Sequence, residues 1–162
     1  MQAVTETVKI DKTEEIKAGL AAYWDDSAKL AKIMPKGPTA AQIKAFIGIF
    51  NSDRKKIGAD WAKTAVYEDH VAVVVAGPAY VIADAAVAVG SLLEFTGDGG
   101  TDVAGRLITR THADADGLKT GETLDAAKVA AEITKQATLP RIRALQKATA
   151  AGDKIKVTIG GT

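Results

Sequence analysis

The sequence predicts a mainly β domain with minor α content (α+β). The expected form is a compact barrel- or sandwich-like fold of short strands and glycine turns, with one helix near residues 123–136. Three observations predict it. First, a glycine-centred theme recurs in Ile16-Lys-Ala-Gly19-Leu-Ala-Ala-Tyr-Trp24, Val87-Ala-Val-Gly90-Ser-Leu-Leu-Glu-Phe95 and Ala151-Gly152-Asp-Lys-Ile-Lys-Val157. Each Gly follows a small or apolar residue and precedes a β-compatible stretch; it supplies the backbone angles of a tight turn, and the next strand carries the packing. Second, the stretches near the two ends alternate apolar and polar residues with period two, as half-buried strands do. Third, Thr123–Gln136 has the end signals of a helix and no internal Gly or Pro.

The elements follow in order. In Val4–Ile10, Val4, Val8 and Ile10 share one face and Thr5, Thr7 and Lys9 the other. Residues 11–34 fit two patterns. As a helix, Asp11 would cap it, with Glu14 at the capping-box position. As sheet, Gly19 turns the chain, Leu20–Trp24 is a strand, Asp25-Asp26-Ser27 a hairpin turn, and Lys29–Ile33 returns. A mid-helix Gly costs about 1 kcal/mol relative to Ala, and the repeat shared with Gly90 favours sheet. Pro35-Lys-Gly-Pro38 is a connector, Thr39 caps a helical turn over Ala40–Lys44, and Ala45–Phe50 is a strand. Arg54–Thr64 reads as a loop, hairpin tip or short helix around Trp61. Val71–Ala76 is apolar on both faces, as a central strand is. Gly77-Pro78 is expected to turn the chain before Ala79–Ile82. Ser91–Phe95 and Val103–Thr111 are strands, with His112–Gly121 a loop. In the final helix Thr123 is the N-cap, Asp125 lies in the first turn and Lys135 in the last. Arg141–Leu145 and Lys154–Ile159 close the fold, the latter with Ile155, Val157 and Ile159 inward.

Composition narrows the function. The 162 residues fit a single domain, with residues 1–10 as an extended arm or strand. Aromatics make up only 5%, so Val, Ile, Leu and Ala must form the core. Lys and Arg (21) nearly balance Asp and Glu (20), leaving a formal charge of +1 and no electrostatic reason to expect nucleic acid. No cysteine is present, which excludes disulfides, thiolate metal sites and cysteine nucleophiles. The first residues lack the basic start and apolar run of a secretory signal. From Val71 to Leu93 the only charge is Asp84, a length able to span a bilayer. Gly77-Pro78, Asp84, Gly90-Ser91 and acidic flanks argue against a span, and no membrane association is expected.

No constellation of reactive side chains is convincing. Gly97-Asp98-Gly99-Gly100 lacks the Lys-Ser/Thr of a phosphate loop and reads as a hairpin tip. His112-Ala-Asp114-Ala-Asp116-Gly117 resembles the start of a calcium loop, but the closing acid falls on Thr123, so Asp114 and Asp116 are more simply a solvated loop. His70 and His112 are not spaced as a ligand pair. Ser91 lacks the second Gly of a nucleophile elbow. Asp25-Asp26 sits where a turn wants Asp. No catalytic, cofactor or metal residues are assigned. Trp24 and Trp61 read as core or interface anchors.

Several stretches resemble the head decoration (capsid cement) proteins of tailed bacteriophages. They are Ile16-Lys-Ala-Gly-Leu-Ala-Ala-Tyr-Trp-Asp25, Ala45-Phe-Ile-Gly-Ile-Phe50, Val71–Val81 with Ala86-Val-Ala-Val-Gly90, and, most specifically, Arg143-Ala-Leu-Gln-Lys-Ala-Thr-Ala-Ala-Gly-Asp153-Lys-Ile-Lys-Val157. The sequence departs from that pattern at Leu20 and Ser91, which follow the two glycines, and Arg54–Thr64 and His112–Ala137 have no counterpart. The resemblance implies a non-enzymatic virion protein, made in the host cytoplasm and placed on the capsid exterior. Its partners would be the major capsid protein and further copies of itself, as a homotrimer or other homo-oligomer. Candidates for capsid or self-association are Val4, Val8, Ile10, Trp24 and Trp61, with the first strand adding to a shell edge. The rival readings are a cellular β-rich binding or oligomerisation module without catalysis, and a small enzyme whose acids converge only in the fold.

Overall fold

A computed structural model describes residues 2–11, 13–54, 70–97, 99, 101–110 and 126–160. The fold is mostly β, with antiparallel sheets packed in a sandwich-like arrangement and two short helices. The first sheet runs β3 (Leu30–Ile33), β2 (Ala21–Asp25), β4 (Phe46–Phe50) and β5 (His70–Ile82), with β1 (Val4–Lys9) also pairing β5. The second is the C-terminal half of β5, then β9 (Lys154–Ile159) and β8 (Ile142–Ala144). A separate pair, β6 (Leu93–Phe95) and β7 (Leu107–Thr109), packs against it through bridges from Ala83 to Leu107 and Leu92 to Arg143. Helix α1 (Ala40–Lys44) starts at the expected Thr39, with a full capping box to Gln42. Helix α2 (Ala126–Thr138) occupies the expected place; its proposed cap Thr123 lies outside the described residues.

Among the described residues of 11–34 no helix forms; β2 and β3 pair there as an antiparallel hairpin. The glycine theme is one local device: Leu20 N–H donates to Lys17 O (3.3 Å), Ser91 to Ala88 (3.3 Å) and Asp153 to Ala150 (3.3 Å). In each turn the third residue is a Gly with positive φ (101°, 85° and 92°), the signature of a type II turn. A fourth copy went unrecognised in the sequence. Val103-Ala104-Gly105-Arg106 closes with Arg106 N–H to Val103 O at 3.2 Å, so β7 starts at Leu107 and not at Val103.

The expected turn at Gly77-Pro78 does not form; β5 runs through these residues as one strand of 13 residues. It bends there and changes sheets. Pairing with β1 ends at Ala76, and pairing with β9 begins at Gly77. A strand that passes from one sheet to the next makes such a corner. Gly77 has φ +86°, and a Cβ there would lie 2.6 Å from Gln2 O.

Strand β5 serves two cores along its whole length: Val74, before the corner, belongs to the larger, and Ile82, after it, packs against the smaller. Val71 and Val73 pack with Ile10, Ile16, Leu20, Ala22, Ala31 and Phe50, whereas Ala79 and Val81 pack with Leu93, Leu107, Ile142, Ile155 and Val157. Neighbouring residues of β2 and β4 divide likewise: Ala21 and Ile49 join the larger core, Ala22 and Phe50 the smaller. The first sheet is therefore apolar on both faces. It curls until Ile10, just past β1, forms a single parallel bridge with Ala31 of β3. One bridge does not make a ladder, so the sheet is curled but not closed into a barrel. Tilted rings of Phe46 and Phe95, 5.3 Å apart, tie it to the β6–β7 pair.

Candidate functional site

The candidate contact residues scatter. Val4 is 53% exposed at the start of β1, Val8 is half-buried, and Ile10, at 2%, belongs to the smaller core. Trp24 packs against the same core. Trp61 lies outside the described residues, as do His112, Asp114 and Asp116. Strand β1 is held along its length by β5, from Val4 opposite Ala76 to Lys9 opposite His70, and so is not a free arm.

The carboxylates build structure. Asp25 accepts from Ser27 N–H (3.0 Å), Ser27 Oγ (2.6 Å) and Ala28 N–H (3.2 Å), and pairs with Lys32 Nζ at 2.6 Å. The Lys32 ammonium, then Ser27 and Ala28, hold its carboxyl well below the usual range. Asp26 pairs with Lys29 at 2.6 Å in the same turn. The tip chemistry read from Asp-Asp-Ser accounts for both acids. Among the described residues, no group of three or more His, Asp or Glu could hold a metal ion.

Asp84, the charge inside the long apolar stretch, is a clamp. Its side chain is 2% exposed and accepts from Thr96 Oγ1 (2.6 Å), Val103 N–H (3.0 Å) and Arg106 Nη1 (3.2 Å). It thereby joins the chain just past β5 to the two ends of the β6–β7 connection, Thr96 after β6 and Val103 and Arg106 before β7. Burial pushes its carboxyl up, but the hydrogen bonds and the Arg106 charge outweigh that and hold it below the ordinary Asp value.

The sequence reading missed one surface. The second sheet turns Ile142, Ala144, Ile155 and Val157 inward, and its outward positions carry Arg143, Lys154, Lys156 and Tyr80. Leu145 N–H donates to Lys156 O (2.8 Å), and Lys156 stands opposite Tyr80, so these three form one cross-strand row. Tyr80 is 52% and Leu145 44% exposed. The stretch from Arg141 to Gly160 holds five basic residues and one acid, Asp153. Asp153 is engaged by its own turn, accepting from Thr149 N–H (2.7 Å), Thr149 Oγ1 (2.9 Å) and Ala150 N–H (3.1 Å). The signal was present in Lys154-Ile-Lys156 but emerges only when β8 and β5 are laid beside it.

No family model matches the chain, and no curated protein matches it in sequence. Among solved structures it is similar to the head fiber gp8.5 N base in bacteriophage phi29. The TM-score is 0.48 and the identity 12%, over 98% of this chain and 95% of that one.

Proposed function

We propose that this protein is a structural component of a phage virion, one that binds the outside of the head and stabilises it by bridging capsid subunits. The observation carrying this reading is where the residues that resemble decoration proteins fall. Ile16–Asp25 forms the Gly19 turn and β2, Val71–Val81 lies in β5, and Arg143–Val157 forms most of β8, the Gly152 turn and most of β9. The resemblance thus follows the framework of the fold. A clamp of this kind works by repetition: modest contacts made by many linked copies raise the free energy needed to open the shell. Self-association as a homotrimer or other homo-oligomer supplies that multiplicity, and no catalysis is required.

The test is co-sedimentation of the purified protein with assembled heads that lack it, followed by heating the decorated and bare particles. Saturable binding and a raised rupture temperature are expected. Absence of binding overturns the reading. Light scattering of the free protein measures the oligomer.

A further inference from the structure

The outward face of the second sheet carries more positive charge than the fold uses. Among the described residues, Arg143, Lys154 and Lys156 have no ion-pair partner; Arg143 reaches only the Gly90 carbonyl, at 3.4 Å. Asp153, the acid nearest in sequence, is taken up by its turn. The row Leu145, Lys156, Tyr80 places an exposed aliphatic and an exposed aromatic group on either side of a cation. Exposed Tyr and Arg beside apolar groups are what protein interfaces enrich, and like charges gathered on one face complement a partner of opposite sign.

We propose that this face docks the protein onto the head, and that it takes an acidic strip of the capsid protein surface; the inference rests on the functional reading above. Protein is favoured over nucleic acid on two grounds. The sheet is three strands wide, about 10 Å at the usual strand spacing, too narrow for a long phosphate-tracking stripe. A formal net charge of +1 also gives the whole chain little long-range attraction for a polyanion.

The experiment compares the full-length protein with the double variant Arg143→Glu/Lys156→Glu in co-sedimentation with bare heads. Lys9→Glu on β1 serves as the control, and thermal melts check each fold. The double variant is expected to bind about tenfold or more weakly and the control unchanged, with wild-type binding falling between about 50 and 300 mM NaCl. Should the double variant not fold, Arg143→Gln and Lys156→Gln, taken singly, replace it. If the wild type does not bind heads, the functional reading falls and this inference with it. If the wild type binds and the folded variants bind equally well, the docking face alone is wrong. A short labelled DNA duplex is the second probe; tight binding that the double variant loses replaces the capsid protein with nucleic acid as the ligand and overturns the assignment.

Discussion

Removing the Asp84 carboxylate tests how the chain past β5 is joined to the β6–β7 pair. Three donors converge on this buried group, and one of them is the Arg106 guanidinium. Hydrogen bonds to a charged partner contribute about 1.5–3 kcal/mol each, but they share one acceptor and do not add. Breaking a buried pair on one side costs about 3–5 kcal/mol, because the other charge stays behind unpaired. Asp84→Ala is therefore expected to cost about 4 kcal/mol, a large part of the 5–15 kcal/mol that typically stabilises a domain. At about 2–4 °C per kcal/mol for a chain of this size, the melting midpoint falls by roughly 8–16 °C. Asp84→Asn keeps the shape and one acceptor and costs about half as much. The pH dependence has a definite sign. The folded-state pKa is lowered, so the carboxylate's contribution is fully present above the unfolded value, about 3.9, and disappears as pH falls through the folded value. Urea titrations from neutral pH down to pH 3 and below measure both effects. The gap between wild type and Asp84→Asn should be constant near neutrality and narrow in acid. A cost below about 1 kcal/mol for the alanine variant, or a gap independent of pH, refutes the clamp.

Other outcomes follow from the same structure. Gly48 and Gly90 both have positive φ, but a Cβ on Gly90 meets nothing within 4 Å, whereas one on Gly48 collides with the Val74 carbonyl and lies 2.7 Å from Val73 Cγ1. Gly90→Ala should cost about 1–2 kcal/mol from backbone strain alone. Gly48→Ala should exceed about 3 kcal/mol, since β4 must move off β5; equal urea midpoints contradict this. Deleting residues 1–10 removes β1 and the buried Ile10, a loss of about 2–5 kcal/mol from the Ile side chain alone. The pairing with β5 predicts a collapsed near-ultraviolet circular dichroism signal, and a native spectrum from the truncated chain counts against it.

Local chemistry was the most readable part of the sequence. Thr39 announced the helical turn over Ala40–Lys44 just before a strand, and Lys154–Ile159 showed its two faces by alternation alone. Gly19, Gly90 and Gly152 marked turns because a positive φ selects Gly whatever surrounds it. Gly105 escaped because Val103 and Leu107–Thr109 read as one apolar run, and only the Arg106–Val103 hydrogen bond divides them. Gly77-Pro78 misled for the converse reason. The pair usually breaks a strand, but here β5 exchanges partners at that point, so it bends and continues. The basic face was hidden because its charges come from separate parts of the chain and meet only through the pairing of β8, β9 and β5.

Because β5 belongs to both sheets, force on one sheet passes to the other along covalent backbone as well as through the larger core that they share. Slippage in the smaller core must drag on Gly77 and hence on Ile159 opposite it. A protein loaded from two sides would thus yield as one body, with no weak joint at which half of it could let go first.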